Sequence, residues 1–189
     1  LIRSGEILEV THSIDTVVLD KTGTVTKGEP AVTEICPAGG TEEGLLTIAA
    51  AVESVSQHPL AADIVQAAQE KKLSTGKQPE NFELLPGRGL RAVLSGRTVL
   101  AGNRRLMEES GVDISALSEK ADALAGQGET PMFFAADGAL LGLISVADPV
   151  KETSAAAIAA LRKQGLRVVL LTGDSRAAAE HIGALVGVD

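Results

Sequence analysis

Two short apolar runs, Val17-Val18-Leu19 and residues 166–171, each end at a polar, loop-forming residue. Apolar runs of this length, the second broken only by Arg167, predict strands buried in a parallel sheet. The chain between them reads differently. Thr41 predicts a helix N-cap, with Glu42 and Glu43 in the first turn where the helix dipole favours them. Pro59 suits the first position of a second helix, in which Leu60, Ile64 and Ala68 fall on one face. After Pro86 the pattern predicts hairpins: residues 90–94 and 97–101 flank Ser95-Gly96, and residues 132–136 and 139–146 flank Asp137-Gly138. Helices are predicted near 104–110 and 115–125, closed by Gly111 and Gly126. From Asp148 the alternation of helix and strand resumes, with a helix over about 150–164, Gly165 as its stop, the strand at 166–171, and another helix from near Ser175.

This order predicts an α/β chain in which an antiparallel α+β domain interrupts a parallel-sheet domain. Lys27-Gly28-Glu29-Pro30 reads as a hinge, which gives a first part at 1–27, an insert at 28–146 and a second part at 147–189. A length of 189 residues accommodates one large or two modest domains. Phe82, Phe133 and Phe134 are the only aromatic residues, so the cores must be built from Leu, Val, Ile and Ala. A formal net charge of −8 argues against nucleic acid as a partner. The lone Cys36 excludes an internal disulfide framework and fits a reducing cytoplasm. No apolar run reaches the ~18–20 residues of a membrane helix. The start Leu1-Ile2-Arg3-Ser4 has neither an initiator Met nor a signal-peptide pattern, and the expectation is a piece of something larger.

The candidate chemistry lies at strand ends and corners. Asp20 is delivered to the C-terminal edge of its sheet and followed by Lys21-Thr22-Gly23-Thr24-Val25-Thr26, a loop able to wrap a phosphate with N–H groups and hydroxyls. Its carboxylate suits a nucleophile that carries a phosphoryl group. An ordinary strand-to-turn exit would also account for these residues. Thr172-Gly173-Asp174 follows the other apolar strand and precedes a helix N-terminus, where phosphate could bind, though the tripeptide is also a common junction. In the insert, Glu53, Ser56, His58 and Pro59 form Glu-x-x-Ser-x-His-Pro. An imidazole there could stack on a base and a carboxylate could accept from an exocyclic amine; an ordinary helix-cap neighbour is the alternative. Gly87-Arg88-Gly89 permits close backbone approach to a ligand or marks a strand entry, and Gly102-Asn103 adds a third small, polar corner.

The seven residues from Asp20 to Thr26 resemble the phosphorylation signature of the P-type ATPases, which form a phospho-aspartate during ion pumping. Soluble phosphatases of the haloacid dehalogenase-like superfamily usually carry a second Asp two positions after the nucleophile. Here that position is Thr22. Thr172-Gly173-Asp174 and Asp148-Pro149 are similar to further P-type motifs near the catalytic centre. Ser-x-His-Pro, Gly-x-Gly and Gly-Asn together resemble the nucleotide-binding domain of the heavy-metal-transporting P1B class, over essentially the whole chain.

The resemblance implies a haloacid dehalogenase-like, Rossmannoid phosphorylation domain, present in part and interrupted by a nucleotide-binding domain. It implies ATP and Mg²⁺ as cofactors, with Asp20 as nucleophile and Lys21, Thr22, Thr172, Gly173 and Asp174 around the transferring phosphoryl group. Glu53 would contact adenine, His58 orient the nucleotide, Gly87 and Gly89 line the pocket, and Gly102 and Asn103 border the ribose or phosphates. Asp20 and the Thr22 carbonyl would bind Mg²⁺. The family's Gly-Asp-Gly-x-Asn-Asp loop does not occur before Asp189, so the metal site is expected to be incomplete and the strand ending at Asp20 to present an unpaired edge open to self-association. Glu129 stands where the family pattern carries Lys, and no Walker A motif occurs. The implied function is the cytoplasmic ATP-binding and phosphorylation region of a pump in a membrane, with copper as the expected metal and a bacterial plasma membrane as the expected location. Its partners would be the pump's membrane and actuator domains, and the fragment would not itself bind the transported metal. The alternative is a soluble haloacid dehalogenase-like phosphatase with a large cap; a nucleotide-binding module without catalysis is a third reading.

Overall fold

The computed structural model describes residues 13–58, 60–76 and 78–188. The start Leu1-Ile2-Arg3-Ser4 and the helix-opening role of Pro59 lie outside these residues. The chain divides into two compact units, Pro30–Asp148 and a second formed by Leu1–Glu29 with Pro149–Asp189.

The larger unit is built on an antiparallel sheet of six strands: β2 (Ala31–Pro37), β3 (Glu80–Leu85), β4 (Gly89–Leu94), β5 (Arg97–Gly102), β6 (Thr130–Ala136) and β7 (Ala139–Ala147), in the order β2-β7-β6-β5-β4-β3. Both hairpins named by the sequence form. Their turns place Ser95 and Asp137 at φ 54° and 50°, and Gly96 and Gly138 at 80° and 82°, which is the twist a two-residue turn needs. Asp137 also holds the next hairpin, because its carboxylate accepts from Thr98 N at 2.9 Å and Arg97 Nε at 2.8 Å.

Helices cover both faces of this sheet. Val99, Ala101, Phe134, Ile144 and Val146 point to α1 (Glu42–Glu53) and α2 (Ala61–Glu70), whereas Leu100, Phe133, Ala135 and Leu143 point to α3 (Arg104–Glu109) and α4 (Ser115–Gly126). Two covered faces explain why residues 132–136 read as a continuous apolar run instead of an alternation. Thr41 caps α1 by accepting from Gly44 N at 3.1 Å. β2 and β3 escaped the sequence pattern for different reasons. A bulge between Val32 and Glu34 breaks the two-residue period of β2, and β3 is an edge strand whose Phe82 and Leu84 stay exposed.

In the smaller unit, β1 (Thr16–Asp20) pairs in parallel with β8 (Arg167–Leu171), and Asp20 stands opposite Leu171. α5 (Ser154–Lys163) and α6 (Arg176–Val186) complete it around Val25, Ile158, Val168, Val186 and Val188. The helix expected from 150 starts at Ser154. Val150 is instead bridged to Thr26, and Lys27 N donates to Pro149 O at 2.9 Å, which holds this stretch extended. No helix among the described residues is long and apolar enough to cross a membrane.

Candidate functional site

In the smaller unit the exposed Asp20 ends β1 in extended conformation, and the chain then turns through Lys21–Val25. Gly23 makes the reversal possible at φ 75°. The turn is organised by Thr26, which is fully buried: its N–H and hydroxyl both donate to Lys21 O at 2.9 Å, and its Oγ1 accepts from Gly23 N at 3.3 Å. A second support comes from the start of α5. Lys151 Nζ donates to Gly23 O at 2.6 Å, while Ser154 Oγ and Lys151 N donate to Val25 O at 2.7 and 3.0 Å.

The β1–β8 register sets the Thr172-Gly173-Asp174 turn beside this loop. Thr172 Oγ1 accepts from Asp174 N at 3.1 Å, Asp174 pairs with Lys21 at 2.5 Å, and Ser175 caps α6 by accepting from Ala178 N. Asp20, Lys21, Thr22, Thr172, Gly173 and Asp174 therefore occupy two adjacent loops at one end of the sheet. Lys151 and Ser154 were missed by the sequence reading, because contacts across more than a hundred residues leave no local signal, and Thr26 was read as part of the phosphate loop but not as the residue that organises it.

The donor set bears on a divalent cation. Among the described residues no group of three or more His, Cys, Asp or Glu could hold a metal. One open carboxylate beside loop carbonyls suits Mg²⁺ only where phosphate oxygens and water complete an octahedron.

In the larger unit a cavity of about 400 Å³ opens between the end of α1, the β3–β4 turn and the ends of β5 and β6. Glu53, Ser56, His58, Gly87, Gly89, Gly102 and Asn103 all line it. Leu90, Ala101, Pro131 and Met132 supply apolar wall, and Thr130 a hydroxyl. Glu53 is only 2% exposed and its Oε2 has no hydrogen-bond partner. Burial pushes its carboxyl up to about 6, against the opposing effect of the Ser56 hydroxyl. Beyond α1 the chain is stitched by Ser56 N donating to Glu53 O at 2.9 Å and by Ser56 Oγ accepting from His58 N at 3.2 Å. His58 Nδ1 accepts from Leu60 N at 3.3 Å, so a neutral ring carries its proton on Nε2.

The glycines differ in what they do. Gly89 and Gly102 are paired in register across β4 and β5. A Cβ on Gly89 would stand 2.0 Å from Ala101 O, and one on Gly102 would stand 2.2 Å from Arg88 O. The protein's own backbone thus excludes side chains at both. Gly87 has open space around it and is a glycine for its φ of 69°. Asn103 fixes that turn, since its Nδ2 donates to Gly87 O at 2.9 Å while its Oδ1 accepts from Leu106 N at 3.1 Å. Arg88, also on the wall, pairs with Glu109 at 2.9 Å.

The family model for haloacid dehalogenase-like hydrolases matches residues 14–189, and the chain belongs to that family. Over its whole length it is also 44% identical to a copper-exporting P-type ATPase of Legionella pneumophila and 43% identical to one of Bacillus subtilis, covering 25% and 23% of those proteins. The chain therefore spans about a quarter of the length of these relatives. A crystal structure of a zinc-transporting PIB-type ATPase in the E2.Pi state matches the whole chain with a TM-score of 0.90 and 35% identity, over 30% of that structure's chain. The fold is that of P-type ATPase phosphorylation and nucleotide-binding domains.

Proposed function

We propose that this chain is the ATP-binding and phosphorylation region of a heavy-metal-transporting P-type ATPase, with Asp20 as the residue phosphorylated. The observation that carries the proposal is the β1–β8 register, which puts Asp20 and its hydroxyl-rich loop beside Thr172-Gly173-Asp174. ATP held in the cavity of the larger unit is the phosphoryl donor. A carboxylate oxygen of Asp20 attacks the γ-phosphorus, the bond to the bridging oxygen breaks, and ADP leaves. Thr22, Thr172 and Gly173 offer hydroxyl and N–H donors to the transferring group, and Lys21 adds positive charge. Mg²⁺, held by Asp20 and the Thr22 carbonyl together with phosphate oxygens, would neutralise charge on the phosphates. Thr22 supplies no carboxylate to activate water, so the acyl phosphate persists long enough to be coupled to a conformational cycle. That feature favours a pump over a soluble phosphatase.

Within the pocket Glu53 contacts the base, His58 orients the nucleotide, Gly87 and Gly89 shape the wall, and Gly102 and Asn103 border the ribose or phosphates. The whole pump would move a metal ion across a membrane, with this region on the cytoplasmic side and the remaining domains supplying the path. Copper is the proposed cargo, following the bacterial relatives. The test is phosphorylation of the full-length parent by radioactive ATP. Asp20→Asn should abolish the acid-stable, hydroxylamine-sensitive label, and a retained label would remove Asp20 from this role.

A further inference from the structure

The buried carboxyl of Glu53 raises a question that the phosphoryl chemistry does not answer. Its buried side chain lines a mostly apolar cavity, its Oε2 lacks any partner, and the Ser56 hydroxyl is the one group that opposes the effect of burial. An ionised carboxylate in such a place is costly unless a cation or several donors meet it. The surrounding elements provide none. Arg88, from the β3–β4 turn, is engaged by Glu109; His58, on the same turn as Ser56, is exposed; and Asp63, on the neighbouring helix α2, is an acid itself raised by burial. The stretches of β4, β5 and β6 on the wall carry no ionisable side chain.

We propose that Glu53 reads the nucleotide base as a neutral carboxylic acid, its O–H donating to adenine N1 and its carbonyl oxygen accepting from the exocyclic amine. The inference rests on the ATP pocket proposed above and goes further, because it makes a proton the determinant of base selectivity. The two arrangements are chemically opposite. Adenine presents an acceptor beside a donor, which matches a protonated carboxyl group, whereas guanine presents N1–H and the 2-amino group, two donors that match an ionised carboxylate. A base entering the cavity expels more water from Glu53, so the neutral form gains further on binding.

The consequence is proton uptake. Above about pH 6, where the empty pocket ionises, ATP must recruit a proton, and its affinity falls by up to tenfold per pH unit. Glu53→Gln mimics the neutral acid, because an amide N–H and C=O offer the same donor and acceptor pair. Calorimetric titration of the 189-residue chain with MgATP and MgGTP tests this, across pH 5.5–8 and in two buffers of different ionisation enthalpy. Every other ionisable group is common to wild type and Glu53→Gln, so the difference between them isolates the Glu53 proton. We expect wild type to take up, relative to Glu53→Gln, close to one extra proton per ATP at neutral pH and above. Glu53→Gln should keep the preference for ATP over GTP without the extra pH dependence, and Glu53→Ala should lose that preference about tenfold. Equal proton stoichiometry in wild type and Glu53→Gln, or a Glu53→Gln preference as poor as that of Glu53→Ala, would overturn the inference while leaving an ATP pocket. Failure of the folded wild-type chain to bind ATP at all would overturn the pocket reading and this inference with it.

Discussion

The two units place their candidate carboxyls in opposite surroundings. Asp20 stands exposed at the end of a two-stranded parallel sheet, on a loop whose backbone is held by Thr26, Lys151 and Ser154. Glu53 lies buried at the end of a helix packed on a six-stranded sheet covered on both faces. A nucleophile must reach a phosphorus atom that arrives from outside, so exposure suits it. A residue that reads a flat base gains from a dry wall in which each hydrogen bond counts more. The contrast extends to strand geometry: the larger unit fits its sheet together so closely that Gly89, Gly102 and Gly142 leave no room for a Cβ, whereas the smaller unit leaves Val18 58% and Leu171 61% exposed.

The largest effect that would sharpen this contrast comes from those glycines. Gly89→Val or Gly102→Val drives a side chain into backbone carbonyls at 2.0 and 2.2 Å, and backbone cannot step aside as a flexible side chain can. We expect a loss of about 3 kcal/mol or more in the stability of the larger unit. Gly87→Ala meets no atom within 4 Å and should cost only the ~1 kcal/mol of a left-handed residue. Urea denaturation followed by circular dichroism measures both. Equal small losses would mean that β4 and β5 can part at this point, and nucleotide binding lost without destabilisation would return Gly89 to the ligand.

A smaller effect belongs to the buried carboxyl of Glu53. The folded state holds the Glu53 proton up to about pH 6, whereas its ordinary value is 4.5, so between these values the native chain binds more protons than the unfolded one. Stability therefore falls as pH rises through that window, by about 2 kcal/mol at most, and stays at the lower level above it. Glu53→Gln should flatten this slope. Unfolding midpoints across pH 4–7 provide the measurement, and a slope that survives Glu53→Gln would assign the proton to another group.

How much of this was legible in the sequence depended on range. Asp137-Gly138 and Ser95-Gly96 announced their hairpins because a two-residue turn demands positive φ, a local requirement written in local residues. The Asp20 loop and the Glu53-to-His58 corner were legible as strings of side chains suited to phosphate and to a base. The reason for Gly89 and Gly102 was not, since each is explained by its partner on the adjacent strand. Lys151 and Ser154 were silent too, for they act on Gly23 and Val25 from a helix start 128 and 129 positions away. β2 hid behind its bulge. The pairing of Lys21 with Asp174 joins two loops that the sequence had named separately, and only the parallel register brings them within reach.

The smallest expected effect tests the exposed side of the comparison. Val18 and Val99 are both strand valines, yet Val18 is 58% exposed and Val99 2%. Charging Val99 would bury an unpaired ammonium group among Phe134, Ala101 and their neighbours. Val18→Lys places its charge in water, on a strand whose edge away from β8 has no ladder partner among the described residues. We therefore expect Val18→Lys to change stability by no more than about 0.5 kcal/mol, measured by urea denaturation at several protein concentrations. Lysine on an open strand edge also discourages pairing with another chain. A loss of several kcal/mol would mean that this face is covered in solution, which would break the contrast between the two valines. Dependence of that loss on concentration would then assign the cover to a second copy of the chain, and independence would assign it to the chain itself.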